Sequence, residues 1–302
     1  MVDGDADGSM TWRELWVETT GRLDGESQHA RWLCEEASGA TGSNWLEVLD
    51  DAVGERAVVR LDAMVARRLG GEPLQYVLGH WAFRHLDLMV DRRVVIPRPE
   101  TEQLVDLALD LLRSVRVSPG MSRRVVDVGT GSGAIALSLA FELPLVGTEV
   151  WATDVSLQAL DVARANLAGL GRRAVNVTMV EGMLFDGLPS SLRGTFDVVV
   201  SNPPYVAVGD VELERIVGDW EPAVALFGGA DGLDVIRTLL CDAAEWLLPG
   251  GSLVVEFGSP QGSAVRELAI AAGYRDVAIK QDYAGRNRYL IARQPSQAEP
   301  HT

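Results

Sequence analysis

Apolar positions change their period along the chain, and each change marks a different kind of structure. Over the first 70 residues they recur at helical spacing: in TWRELWVETTGRL (11–23), Trp12, Leu15, Trp16 and Thr19 fall on one face. QHARWLCEEAS (28–38), SNWLEVLDDAV (43–53) and RAVVRLDAMVARRLG (56–70) follow, separated by breaks that contain glycine or serine. Ser43 is expected to cap the third of these helices, with Leu46 and Leu49 starting its apolar stripe. The pattern predicts a small helical bundle over residues 1–73. Between 74 and 98 the period falls to two, at Leu86, Leu88 and Val90 beside Trp81 and Phe83, which predicts a linking hairpin. Pro97 and Pro99 end it, and ETEQLVDLALDLLRSV returns to helical spacing.

From about residue 123 short valine-rich runs alternate with helical ones. RRVVDV, EVWATD, VNVTMVEG, FDVVVS and SLVVEFG read as buried strands. Helices are expected over AIALSLAFEL, SLQALDVARANLAGLG, GLDVIRTLLCDAAEWLLPGG and GSAVRELAIAAG. Strands apolar on both faces, each followed by a helix, predict an α/β domain with a doubly wound, mainly parallel sheet over 99–293. RDVAIKQD and NRYLIARQ, joined by the tight YAGR turn, predict an antiparallel end to that sheet. QPSQAEPHT reads as a tail, 294–302.

Composition narrows the class. The chain has 302 residues, is 47% hydrophobic and carries a net charge of −16, with Lys280 its only lysine. Proteins that hold a phosphate backbone usually present a basic face, so no direct nucleic-acid binding is expected. No run approaches the roughly 18–20 apolar residues of a membrane span. The opening MVDGDADGSM is acidic, unlike a secretory leader, so a cytoplasmic protein is expected. Cys34 and Cys241 have no motif spacing and read as buried reduced thiols. The four histidines share no ligand spacing with cysteines or carboxylates, and no metal is expected.

Two stretches carry candidate chemistry. VVDVGTGSGAIAL (125–137) puts Asp127 at a strand end and glycines at 129, 131 and 133 before a helix. Such glycines serve a tight strand-to-helix turn, or a backbone that approaches a ligand. The spacing D-x-G-x-G-x-G differs from the G-x-G-x-x-G of dinucleotide sites. About twenty residues on, Asp154 ends the next strand, where a carboxylate can accept both hydroxyls of a ribose. Asp127 disfavours a phosphate and suits a cationic ligand. Together these features resemble the S-adenosylmethionine site of Rossmann-like methyltransferases, in which Gly129, Thr130, Gly131, Ser132, Gly133 and Asp154 would hold the donor.

The second stretch is VVVSNPPYVA (198–207), where a core strand ends in Asn202, Pro203, Pro204 and Tyr205. Two prolines in succession terminate a strand, and that alone is one reading. The other is chemical. A planar amino nitrogen attacks a methyl sulfonium only when its lone pair is withdrawn from conjugation. Two acceptors on its two N–H bonds favour that change. Asn202 supplies a side-chain carbonyl. Pro203 supplies a backbone carbonyl stiffened by Pro204, and Tyr205 supplies a flat ring. Pro203 and Pro204 have no N–H to leave unsatisfied.

Longer blocks carry a resemblance. EPLQYVLGHWAF, VVIPRPETEQLV, DVGTGSGAIALSLA, SNPPYV, WEPAVALFGGADGLDVIRTLL and YAGRNRYL, from about Glu72 to Ile291, are similar to the release-factor glutamine methyltransferases (the PrmC/HemK family). The resemblance implies a Rossmann-like class I methyltransferase domain with a mainly parallel seven-stranded sheet and a small N-terminal helical domain that docks the partner. It implies methyl transfer from S-adenosylmethionine to the side-chain nitrogen (N5) of the glutamine in the Gly-Gly-Gln motif of peptide chain release factors. Asn202, Pro203, Pro204 and Tyr205 would hold that glutamine amide, and Asn202 would also lie beside the donor's methyl group. The sequence departs from the family's acidic and aromatic segment after the third strand, where Gly182, Met183 and Leu184 stand. Val155 and Leu184 are the expected apolar contacts to adenine there. RPETE (98–102) reads either as a helix start with acids complementing the dipole or as part of the donor site. The acid of GGADGL (228–233), Asp231, either belongs to a turn or faces the substrate, and Tyr76 and Trp81 are core aromatics or partner contacts. Asn-Pro-Pro-Tyr by itself also permits a DNA or RNA amino-methyltransferase, and an altered adenine wall permits an idle interaction protein.

Overall fold

Helix α1 (Trp12–Arg22) begins where a capping box can form. The Thr11 hydroxyl accepts from the Glu14 amide at 3.3 Å, and the Glu14 carboxylate accepts from the Thr11 amide at 2.9 Å. Helices α2 (Ser27–Ser38), α3 (Ser43–Val48), α4 (Glu55–Leu69) and α5 (Leu74–Leu78) complete a helical unit, residues 1–79. Its core joins Trp12, Leu15, Leu33, Trp45, Leu61 and Val65, and the edge of Trp12 meets Trp45 at 5.8 Å. Two expectations fail at α3. Gly42, not Ser43, stands at the N-cap, and Trp45 turns inward while Leu46 is 64% exposed. The helix also stops at Val48, because the next carbonyls are taken by the start of α1: Leu49 accepts from the Arg13 amide and Asp51 from the Trp12 amide.

Residues 74–78, predicted as extended, close into α5. Arg67 of α4 pairs with Glu72 at 2.7 Å and donates to the carbonyls of Tyr76 and Val77, gathering that turn around one guanidinium. Tyr76 is buried in this unit.

The second unit, residues 80–302, starts with the hairpin β1 (His80–Phe83) and β2 (Leu86–Met89), paired antiparallel. Arg84, in its turn, is held by Glu142 at 2.6 Å and Asp106 at 2.8 Å. Helix α6 (Pro99–Ser114) follows, with Pro99 in its first turn. Then come β3 (Arg123–Val128), α7 (Ala134–Glu142), β4 (Thr148–Asp154), α8 (Leu157–Gly169), β5 (Val177–Glu181) and β6 (Phe196–Ser201). Helix α9 (Asp234–Trp246), β7 (Leu247–Glu256), α10 (Gly262–Ala271), β8 (Arg275–Gln281) and β9 (Asn287–Arg293) complete the order. The structure, a computed structural model, describes residues 10–116, 118, 120–209 and 220–296. The first nine residues and the tail from 297 lie outside the described residues.

The seven strands are ordered β5-β4-β3-β6-β7-β9-β8, parallel except that β9 runs against both its neighbours. Alternate residues feed two cores. Val125, Val198, Val200 and Val254 pack with α6 and α7, while Val126, Val199, Leu253 and Val255 pack with α9 and α10. LLPGG, predicted to continue a helix, opens β7 instead. Pro249 lacks an N–H, Gly250 has φ +83°, and the register slips so that Phe196 faces Leu247 while Val198 faces Ser252. The order reverses direction between β3 and β6, and ligands of open α/β sheets bind beyond the strand ends at such a point.

Candidate functional site

A cavity of about 480 Å³ opens at the carboxyl ends of β3, β4 and β6, within the range of small-molecule sites. Gly129, Thr130, Gly131, Ser132 and Asp154 line one part of it, and Asn202, Pro203, Pro204 and Tyr205 line another. Two stretches seventy residues apart in sequence thus share one space, because β3 and β6 are neighbours with Val128 opposite Ser201. The Ser201 hydroxyl reinforces that junction, donating to the Val128 carbonyl at 2.7 Å.

The glycine loop is shaped from below. Asp127 is fully buried, and its Oδ2 accepts from the Thr130 hydroxyl at 2.6 Å and the Ala136 amide at 3.1 Å. Burial pushes its carboxyl up to about 7 against those two donors. It therefore braces the loop from beneath and is not among the residues that line the cavity. Gly133 also lies behind the wall. It occupies the N-cap of α7 at φ +86°, and a Cβ there would sit 2.9 Å from Leu137 Cδ1. The helix start therefore requires a glycine here for packing. Asp154 bridges the loop to the next turn, accepting from the Gly131 amide and the Ser156 amide, each at 2.9 Å. Its carboxyl is raised by burial, with both amides pulling it down. The loop is held laterally by Asn166 of α8, which donates to the Ser132 carbonyl at 2.9 Å and also bonds both backbone groups of Met89.

The wall of the cavity across from the glycine loop is apolar. Val155, Met183 and Leu184 line it, with Val155 50% exposed, and Leu184 holds φ +50°. Gly182 is sterically required, since a Cβ there would lie 2.3 Å from the Gly187 nitrogen. A carboxylate at a strand end beside an apolar wall, at a glycine loop that opens a helix, fits S-adenosylmethionine.

Asn202 is oriented by residues the motif does not contain. Its Nδ2 donates to Thr101 Oγ1 at 3.1 Å, and the Thr101 hydroxyl donates to Glu256 Oε2 at 3.0 Å. No described residue donates to Asn202 Oδ1 or to the Pro203 carbonyl, so both remain available as acceptors. Tyr205 places its hydroxyl 3.4 Å from Glu256 Oε1, and burial raises its phenol. Its carbonyl accepts from Gln261 Nε2 at 3.0 Å, and the Gln261 Oε1 accepts from the Gly258 amide at 2.9 Å. The following chain is strapped to residues 226–229: Val206 donates to the Leu226 carbonyl, and Gly228 donates back to Val206.

The distant blocks of the sequence meet here. Glu221, its side chain 2% exposed, pairs with Arg98 at 2.7 Å and accepts from the Ile96 amide at 3.0 Å. WEPAVALF and IPRPETE are thereby joined at the rim, and Thr101 of the latter enters the cavity wall. Asp231 of the GGADGL segment and Asp234, which opens α9, both pair with Arg237. Glu256 is a functional candidate that sequence reading missed, and Thr101 stands out in the sequence only within RPETE, without a role of its own. Glu256 had one signal, a carboxylate inside the apolar run LVVEF (253–257). Cys34 is buried as expected, whereas Cys241 is exposed because it falls on the outer side of α9.

A seven-stranded sheet in this order, with a glycine loop and acidic strand end on one side of its reversal and Asn-Pro-Pro-Tyr on the other, defines a Rossmann-like class I methyltransferase. Residues 101–217 match the methyltransferase small domain family and residues 18–79 the PrmC N-terminal domain family. The chain is 43% identical over 265 residues to the release factor glutamine methyltransferase of Moorella thermoacetica, covering 86% of this chain and 87% of that one. It is 40% identical over 247 residues to the enzyme of the same name from Bifidobacterium longum, covering 79% and 81%. The chain belongs to the release factor glutamine methyltransferase family, and its methyl donor is S-adenosylmethionine. Among solved structures, the delta-N METTL16 MTase domain shares the fold, with a TM-score of 0.51 at 18% identity over 79% of this chain and 95% of that one. Among the described residues no helix is long and apolar enough to cross a membrane.

Proposed function

We propose that this protein methylates the side-chain amide nitrogen of the glutamine in the Gly-Gly-Gln motif of peptide chain release factors, in the cytoplasm. The observation that carries the reading is the pair of acceptors, Asn202 Oδ1 and the Pro203 carbonyl, in one cavity with Asp154 and the glycine loop. Gly129 to Ser132 and Asp154 are the donor-binding residues, with Val155 and Leu184 against the adenine. When bound, S-adenosylmethionine supplies a methyl group activated on a sulfonium.

Asn202, Pro203 and Tyr205 are the catalytic residues. Asn202 and Pro203 each accept one N–H of the glutamine amide, which favours the nitrogen as it turns from planar to tetrahedral. Tyr205 supports the plane of the amide before that change. The nitrogen becomes positive on taking the methyl group and returns to neutrality by releasing one proton to water, so no strong general base is needed. The net charge of −16 supports a protein substrate over a phosphate backbone. The helical unit 1–79 is assigned to partner docking, supported by its match to the PrmC N-terminal domain.

Incubation with a release factor, free DNA, ribosomal RNA and methyl-labelled donor tests the reading. Label is expected on the glutamine of the Gly-Gly-Gln peptide. Label on nucleic acid and none on that peptide overturns it.

A further inference from the structure

Asn202 can serve as an acceptor only if the oxygen end of its amide faces the cavity, and the side chain alone does not determine which end does. Thr101 and Glu256 are 4% and 1% exposed, so water competes little for either. A threonine hydroxyl has a single proton, and an ionised carboxylate accepts only. With Glu256 ionised, the Thr101 proton is taken by Oε2 at 3.0 Å. Thr101 then presents only lone pairs to Asn202, and the one group of Asn202 that can meet them is its NH2, at 3.1 Å. Oδ1 is left for the substrate. We propose that Glu256, acting through Thr101, sets the polarity of the Asn202 amide, making both positioning residues for methyl transfer. The proposal rests on the acceptor role assigned to Asn202.

Protonation of Glu256 reverses the chain of donors. Its O–H then donates to Thr101, the Thr101 proton turns to Asn202 Oδ1, and an NH2 group faces an incoming amide that needs an acceptor. Burial pushes the Glu256 carboxyl up to about 7, against the Thr101 hydroxyl and Arg288 of β9, which pull it down. Glu100, in the first turn of α6, adds to the upward push, and the Tyr205 hydroxyl opposes it. Tyr289 of β9 also faces this carboxyl, its own hydroxyl donating to the Glu100 carbonyl at 2.7 Å. Below the carboxyl's pKa the site is misoriented; above it the site is set. The rate is therefore expected to rise with pH through about 7.

Three variants test the relay. Thr101→Val removes the hydroxyl at nearly constant shape, Thr101→Ser restores it, and Glu256→Gln keeps the size but offers Thr101 both a donor and an acceptor. Each is measured for donor affinity by calorimetry, for kcat against pH with a release factor, and for exchange of the Asn202 side-chain amide protons by NMR. Donor affinity is expected to stay within about twofold of wild type, because no donor-binding group changes. Thr101→Val and Glu256→Gln are expected to lower kcat by about 10- to 100-fold, the size of losses when an outer hydrogen-bond partner of a functional side chain is removed. Thr101→Ser recovers most of the rate, Glu256→Gln loses the acid limb of the profile, and Asn202 amide exchange quickens in Thr101→Val. A wild-type rate in Thr101→Val, equal damage in Thr101→Ser, or an acid limb that survives in Glu256→Gln overturns the proposal. Should Thr101→Val not fold, Thr101→Ser and Glu256→Gln decide the matter through the pH profile. Wild-type protein that transfers nothing to a release factor defeats the functional reading instead, while amide exchange still reports on the relay.

Discussion

Gly232→Ala isolates the packing that aims Tyr205. Gly232 lies outside the Asn-Pro-Pro-Tyr motif, at φ +74°, and a Cβ there would stand 2.2 Å from the Tyr205 carbonyl oxygen and 2.7 Å from Gln261 Nε2. Real Cβ contacts essentially never fall below 3.0 Å, so backbone must move by about 0.8 Å, and no flexible side-chain end can absorb that at the carbonyl. The left-handed conformation costs about 1–2 kcal/mol for a residue with a Cβ. Overpacking against fixed backbone adds about 1–3 kcal/mol. The combined loss of about 2–5 kcal/mol lowers the melting midpoint by about 4–20 °C in a domain of this size. A displacement approaching 1 Å at a substrate-positioning group also costs about 10²-fold in rate. Gly285→Ala is the control, since it has φ +75° but nothing within 4 Å of its Cβ. It should show the conformational cost of about 1–2 kcal/mol alone, with methyl transfer intact. Calorimetric melting, donor titration and kcat together separate the effects. A Gly232→Ala protein with wild-type kcat, or two variants with equally reduced rates, would refute the reasoning.

Asn202→Ala is expected to keep donor affinity but lower methyl transfer by about 10²-fold or more, as for loss of an oriented hydrogen-bond partner in the transition state; an unchanged rate removes Asn202 from the chemistry. Asp154→Asn keeps an acceptor for the Gly131 amide but loses the charge, so donor binding should weaken by about 10- to 100-fold, in line with hydrogen bonds to charged groups worth about 1.5–3 kcal/mol. Calorimetry checks this, and an unaltered Kd places the donor elsewhere. A thiol-reactive reagent at mildly alkaline pH should label the exposed Cys241 in the native protein and reach Cys34 only after denaturation. Burial both shields Cys34 and pushes its thiol up to about 12. Rapid labelling of both native thiols contradicts the burial of Cys34.

Much of the architecture was legible because it depends on local pattern. Valine runs with apolar residues on both faces, each followed by a helix, leave few alternatives to a buried parallel sheet, and the strands β3 to β6 begin and end close to where the pattern puts them. Legibility failed where tertiary contacts outweigh local preference. Leu74–Leu78 is helical because Arg67 gathers its carbonyls, α3 stops short because α1 takes the carbonyls beyond it, and LLPGG joins a strand through a register slip.

The site divides along the same line. The cavity residues proposed to hold donor and acceptor sit in two short motifs, and their residue types announce the chemistry: glycines before a helix, a carboxylate at a strand end, two carbonyls and a ring after another strand. These features are encoded within about a dozen residues each, so the sequence by itself determined the kind of reaction. Orientation required the folded chain. Thr101 and Glu256 lie 155 positions apart, and Arg98 and Glu221 lie 123 apart, with no spacing rule connecting either pair. Only the strand order that sets β6 between β3 and β7, with α6 packed on that sheet, brings Glu256 under Thr101 and Thr101 under Asn202. A hydrogen bond depends on distances of a few tenths of an ångström, and those distances are set by packing across the whole sheet rather than by any local run of residues.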